Sequence, residues 1–314
     1  MTANHPTTPP RGSTVIPRRR LFTWIGGGVG AVVVAGATGF ELVNHGVLPG
    51  KQLLDQMDGA CSVPAPVLSF AMTGPSESGS FYSSARRRSV AYTIAYPPNH
   101  GPGDRLALIV MLHGLGNNHA SALFGMSPAQ AVALRQGGSP LQPMAMVTVD
   151  GGDGYWSPHP GDDPMAMVID ELIPFCQRKW LGVAPNRIGL MGISMGGYGA
   201  LAIAERRPDL VSALAVVSPA VWTSYVQARS ANAGAFASAA AFATGDVIAH
   251  AAALRTTPVR IASGADDPFH PGVEQLANAL GAGRAITFPA GCHTESFFLE
   301  QEPPSMMFLS RHLV

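Results

Sequence analysis

RIGLMGISMGGYGALAIAERRP, residues 187–208, is the stretch from which the architecture can be read. Its first part, Arg187 to Ile193, is a short apolar run of the length and bulk of a buried strand. Its last part, Tyr198 to Arg207, is made of good helix formers and is stopped by Pro208. Between them, with no residue to spare, stands Gly192-Ile193-Ser194-Met195-Gly196-Gly197. A serine at the tip of so tight a strand-to-helix turn has its hydroxyl pushed clear of the sheet, and the positions around it tolerate little but glycine. That is where a nucleophile would be put. Gly-x-Ser-x-Gly alone carries little weight in a chain with 36 glycines; the strand before it and the helix after it supply the weight.

In this arrangement an acid and then a histidine follow the nucleophile along the chain. Val259 to Ser263 reads as a strand that ends in Gly264-Ala265-Asp266-Asp267-Pro268. Ala285 to Phe288 reads as the next strand and runs out through Pro289-Ala290-Gly291-Cys292 to His293, with room between for one helix, Pro271 to Leu280. Both groups then lie just past strand C-termini, on the edge of the sheet where the serine also lies. Asp267 is the expected acid because its Gly-x-x-Asp offset suits a strand-end turn and Pro268 stiffens the loop behind it; Asp266 is the alternative. Two backbone N–H groups must face the oxyanion. Met195, next after the serine, supplies one. Leu106 to Leu112 (LALIVML) is an apolar run ending in His113-Gly114-Leu115-Gly116, and the Leu115 N–H supplies the other, with His113 bracing that loop or lining the substrate pocket. Trp156, in the loop after the strand Met144 to Val149, is read either as a pocket wall or as a packing aromatic.

The pieces HGLG, DGGDGYW, DELIPF, NRIGLMGISMGGYGALAIAERRPD, SPA, GADDPF and GCH stand in the order seen in the esterase branch of the α/β-hydrolases. That branch includes S-formylglutathione hydrolases (esterase D), enterochelin esterases and the mycolyltransferases of the antigen 85 group. The chain resembles it from about Ser89 to Val314, most specifically at the serine turn and its helix. The resemblance implies Ser194 as nucleophile, Asp267 as acid, His293 as base, and Leu115 and Met195 as oxyanion donors. It implies a serine esterase acting on a small-molecule or lipid ester without metal or organic cofactor. An acyltransferase that passes the acyl group to a sugar or lipid hydroxyl is the nearer alternative; a non-catalytic binding member of the fold is the farther one. Trp222 to Pro258, rich in Ala and Ser, holds no binding signature.

Strands alternating with helices predict a mainly parallel sheet of about eight strands covered on both faces. In Ser89 to Tyr96, the residues Val90, Tyr92, Ile94 and Tyr96 alternate as a half-buried strand does; strands near Val67 to Met72 and Phe81 to Ala95 are expected to pair antiparallel at one edge. Lys plus Arg and Asp plus Glu number 20 each, so nothing points to a nucleic-acid partner.

The N-terminus is a different object. Residues 1–20 are polar and basic at their end, and Arg18-Arg19-Arg20-Leu21-Phe22 opens an uncharged, glycine-rich run to Phe40. Paired arginines before an apolar segment resemble a twin-arginine export signal, either cleaved at Ala35-Gly36-Ala37 or kept as a membrane anchor. A linker over 41–65 and a hydrolase domain over 66–314 follow. Three cysteines suit an exported chain with one disulfide: Cys176 falls within a helix and reads as a small buried hydrophobe, which leaves Cys61 with Cys292. No Cys-x-x-Cys or His-x-x-x-His spacing marks a zinc site.

Overall fold

The computed structural model describes residue 61 and residues 74–123, 135–136, 139–182 and 188–313. The basic N-terminus, the run from Leu21 to Phe40 and the expected strand Val67 to Met72 lie outside the described residues. Among the described residues no helix is long and apolar enough to cross a membrane.

Eight strands form one sheet: β1 (Ser76–Ser83), β2 (Arg88–Ala95), β3 (Ala107–Leu112), β4 (Met144–Val149), β5 (Ile188–Ile193), β6 (Val211–Val217), β7 (Val259–Ala262) and β8 (Ala285–Thr287). Their spatial order is β1-β2-β4-β3-β5-β6-β7-β8. β2 is antiparallel to β1 and to β4, and every other neighbouring pair is parallel. The antiparallel edge differs from expectation: the segment from Phe81 to Ala95 is not one strand but most of a hairpin, broken after Ser83 by a turn that holds Arg87 at φ 52°. Arg86, buried in that turn, pairs with Asp162 and donates to the Asp150 carbonyl, which anchors the hairpin to the loop beyond β4.

The central strands β3 to β6 lack polar alternation because both faces are covered, as parallel strands require. Successive side chains still part to opposite sides. Leu108, Val110 and Leu112 join Leu190 and Leu214 on one face, while Ile109 and Met111 join Met191 and Ile193 on the other. The first face is covered by α1, assembled from Pro164–Ala166, a π-helical Met167–Leu172 and Ile173–Arg178, and by α2 (Met195–Arg206). Asp163 caps α1 by accepting the Ala166 N–H, and Pro164 occupies its first position, where the missing N–H costs nothing. Cys176 lies wholly buried in α1, and burial pushes its thiol up to about 12.

The Ala- and Ser-rich stretch after Trp222 folds into α3 (Tyr225–Ala231), α4 (Ala239–Thr244) and a 3-10 turn, Ala251–Leu254. Aromatic residues hold it down. Phe236 packs edge-on against Tyr198 of α2, and against Phe242 and Tyr155. After β7 comes α5 (His270–Leu280), and after β8 comes α6 (Glu295–Ser310), whose Phe297, Met306 and Leu309 cover the second face of the sheet.

Candidate active site

Three loops at the C-terminal edge of the sheet meet at Ser194. The serine sits between β5 and α2 at φ 56°, ψ −121°, a conformation that costs a non-glycine residue about 1–3 kcal/mol. Its neighbours hold it there: Ser194 N–H donates to Val217 O at 3.0 Å, and Ser194 O accepts from Tyr198 N–H at 3.1 Å and Ala220 N–H at 2.9 Å. The flanking glycines serve a different purpose from the one expected. Neither Gly192 nor Gly196 has a positive φ; a Cβ on Gly192 would stand 2.2 Å from Gly196 O, and one on Gly196 would stand 2.0 Å from Leu112 O. The strain belongs to the serine, and the glycines permit close approach of backbone to backbone.

His293 Nε2 lies 2.8 Å from Ser194 Oγ, and His293 Nδ1 lies 2.9 Å from Asp267 Oδ2. The second oxygen of Asp267 accepts the Phe269 N–H at 2.8 Å, and the whole residue is buried. An ionised carboxylate can only accept, so Nδ1 carries the proton and Nε2 is left to accept from the serine hydroxyl. Asp267 rather than Asp266 makes the contact with the ring. Phe269 and Phe298 pack edge-on against the imidazole, with ring centroids 5.1 and 5.0 Å away.

The loops that carry Asp267 and His293 are zipped together. Ala265 N–H donates to Pro289 O at 2.9 Å and Asp266 N–H to Gly291 O at 3.0 Å. Gly264 makes this approach possible, since a Cβ there would lie 2.1 Å from Gly291 O. Cys292, the residue before His293, is joined to Cys61 by a disulfide with Cα atoms 5.0 Å apart.

The HGLG loop runs beside the serine: a Cβ on Gly114 would lie 3.7 Å from Ser194 Cβ. Leu115 follows, half-exposed, in a turn closed by Asn117 N–H to Gly114 O. Met195 opens α2, where the first N–H groups of a helix have no partner within it and are free to face an anion. His113 is buried beneath this loop. Its Nε2 accepts the Gly151 N–H at 2.9 Å, so its proton is on Nδ1 and is donated to Gly114 O at 2.8 Å. Burial is the largest influence on this imidazole and lowers its pKa, which keeps it neutral in that bridging role.

Two expected pocket residues are therefore corrected. His113 and Trp156 do not wall a substrate pocket: they are 2% and 0% exposed. Trp156 donates from its indole N–H to His113 O at 3.2 Å and fills the space above Gly151 and Gly199, where a Cβ would strike its ring. It is a strut under the HGLG loop. Sequence reasoning missed Asp153, which accepts the Gly116 N–H at 2.8 Å and whose carbonyl receives Asn232 Nδ2 at 3.3 Å. The signal was present in the quoted DGGDGYW, but nothing in the spacing says which of its acids turns toward Gly116. Among the described residues no group of three or more His, Cys, Asp or Glu side chains is placed to hold a metal ion.

A family profile described as "Esterase: Putative esterase" matches residues 83–287, well over half of the chain. No curated protein sequence matches. Among solved structures, a ferulic acid esterase superposes with a TM-score of 0.65 at 17% identity, over 77% of this chain and 100% of that one. S-formylglutathione hydrolase from Agrobacterium tumefaciens gives 0.61 at 18% identity, over 80% and 100%. The fluorophosphonate-binding serine hydrolase FphF of Staphylococcus aureus gives 0.59 at 13% identity, over 76% and 99%. At such identities the superpositions speak for the fold, and the profile speaks for the family. The chain belongs to the Esterase family, with the α/β-hydrolase fold and that family's general chemistry of carboxylic-ester hydrolysis.

Proposed function

We propose that the protein is a serine hydrolase that cleaves a small-molecule or lipid ester through an acyl-enzyme on Ser194. One observation carries the reading: the unbroken relay from Ser194 Oγ to His293 Nε2 at 2.8 Å and from His293 Nδ1 to Asp267 Oδ2 at 2.9 Å, at the apex of a strand–turn–helix. Ser194 attacks the ester carbonyl as its proton passes to His293 Nε2. Asp267, steadied by the Phe269 N–H, keeps the ring in the required tautomer and stabilises the imidazolium. The N–H groups of Leu115 and Met195 donate to the oxyanion, and His293 then protonates the departing alcohol. Water, deprotonated by the same imidazole, attacks the acyl-enzyme, releases the acid and restores Ser194.

The test is direct. A fluorophosphonate should label Ser194, and Ser194→Ala or His293→Ala should lower kcat on a short-chain aryl ester by on the order of 10⁴ to 10⁶ with the fold intact. Most of the activity surviving in Ser194→Ala would sink the assignment. Supplying trehalose or glycerol with the acyl donor tests the acceptor: free acid as the main product supports hydrolysis, and acylated acceptor as the main product would make the protein an acyltransferase.

We also propose that the enzyme works on the outer side of the cytoplasmic membrane. The support is the arginine cluster at 18–20 followed by the uncharged run to Phe40.

A further inference from the structure

Leu115 is poorly placed to hold its own N–H in position. Its side chain is 49% exposed, and it stands between Gly114 and Gly116, so packing and local sterics constrain it little. Gly116 already takes φ 73°. An oxyanion donor has to be aimed before the reaction begins, which leaves the two peptide planes flanking Leu115 to be fixed by hydrogen bonds.

The plane before it is fixed from within the HGLG loop. Gly114 O and Leu115 N–H belong to one trans peptide and point opposite ways. Gly114 O accepts from His113 Nδ1 at 2.8 Å and from Asn117 N–H at 3.2 Å, which turns the Leu115 N–H away from both. The plane after it is held from another loop by a carboxylate: Gly116 N–H donates to Asp153 Oδ1 at 2.8 Å. That second loop, beyond β4, is itself anchored. Buried Arg86 donates to Asp150 O, Asp150 Oδ1 accepts the His119 N–H at 2.8 Å, and the Gly151 N–H reaches His113 Nε2 at 2.9 Å. Asn232, just past α3, donates to Asp153 O at 3.3 Å. A carboxylate one residue from an N–H that must receive an anion opposes the developing charge, so its electrostatic effect alone gives no reason for it to be there. Its service as a strong, charge-assisted acceptor does.

We propose that Asp153 is a positioning residue for ester cleavage, which fixes the Leu115–Gly116 peptide so that the Leu115 N–H is aimed at the oxyanion before substrate arrives. The assignment rests on the serine-hydrolase reading above. A loosened donor leaves substrate binding alone and weakens only the transition state, so the loss falls on kcat and not on KM.

Steady-state hydrolysis of a short-chain aryl ester by the full-length protein, with active sites counted by fluorophosphonate titration, tests the role. Asp153→Ala should lower kcat per titrated site by about 10- to 100-fold, with KM within about twofold of the parent. Its affinity for an aryl trifluoromethyl ketone, which adds to Ser194 as a tetrahedral oxyanion, should fall by the same factor as kcat/KM. Asp153→Asn keeps an acceptor oxygen for Gly116 and should stay within about fivefold of the parent in both measurements. A merely structural role would lower Tm and the number of titrated sites without moving kcat per site and ketone affinity together, and that result would overturn the assignment. So would parental kcat in Asp153→Ala, a rise in KM as its main effect, or an Asp153→Asn variant as impaired as Asp153→Ala, in each case with the parent active and labelled at Ser194. A parent that neither cleaves the ester nor takes the label would overturn the serine-hydrolase reading and this role with it.

Discussion

Replacing Gly264 by alanine should disable the enzyme without touching any group that reacts. A Cβ at this position meets Gly291 O at 2.1 Å and Cys292 N at 3.0 Å, both backbone atoms that cannot rotate away. A normal carbon–oxygen contact needs more than 3 Å, so the acid loop and the base loop must part by roughly 1 Å, and a displacement of that size at a reacting geometry costs on the order of 10²-fold in rate. That corresponds to about 2.7 kcal/mol of transition-state stabilisation. The shift falls on the pair at 2.9 Å that orients His293, so kcat should drop while KM stays near its original value. The assay is steady-state hydrolysis of a short-chain aryl ester, with thermal melting run alongside. Gly281→Ala is the control: it sits at φ 75° with open space around it, so it carries backbone strain but no clash near the site. It should lower stability and spare activity. If Gly264→Ala retained activity within about threefold of the parent, the zipped loops would not be what positions the base.

Three further outcomes are expected. The Cys61–Cys292 disulfide closes a span of 231 residues, which in the chain-entropy description stabilises the fold by up to about 5 kcal/mol. Cys61→Ser should lower the denaturation midpoint and also the activity, since Cys292 precedes His293; three free thiols, or a Cys61–Cys176 link, in peptide maps of exported material would refute this. Glu205 is ionised above 4.5 when unfolded but stays protonated in the fold to about 9, so its contribution is whole below the lower value and is lost as pH rises toward the higher one. The denaturation midpoint of the parent should therefore fall across that window relative to Glu205→Gln, and parallel curves would contradict it. Replacing Arg18 and Arg19 by lysine should hold active enzyme inside the cell; full-length active parent protein in the soluble cytoplasm, with the run to Phe40 neither cleaved nor membrane-bound, would exclude export.

Much of the candidate site is legible in the sequence, because its chemistry depends on short-range patterns. A strand, a tight turn and a helix around Ser194 can be recognised within residues 187–208 alone, and the acid and base candidates follow in a fixed order at strand ends. Length and alternation of apolar runs likewise foretold the parallel sheet, since a strand buried on both faces must be apolar throughout. The sequence by itself thus determined which side chains are the nucleophile, acid and base candidates and on which edge of the sheet they lie.

Contacts between distant segments were decided only in three dimensions. Whether Trp156 faces a substrate or lies beneath His113 depends on which strand loops adjoin, and Tyr155 and Trp156 both take positive φ values that no local preference predicts. The same holds for Asp153, whose bond to Gly116 spans 37 positions. The helix α6 runs through Pro303 and Pro304, which by propensity should end it; burial of Phe297, Met306 and Leu309 against the sheet outweighs that preference. A cavity of about 660 Å³ between Tyr198, Ala202 and Glu205 of α2 and the stretch from Ala241 to Ala253 is the plainest case, because an alanine-rich segment carries no sign of what it leaves unfilled. Local propensity and periodicity write the elements into the chain, whereas the partners of each buried polar group are settled by packing over the whole domain.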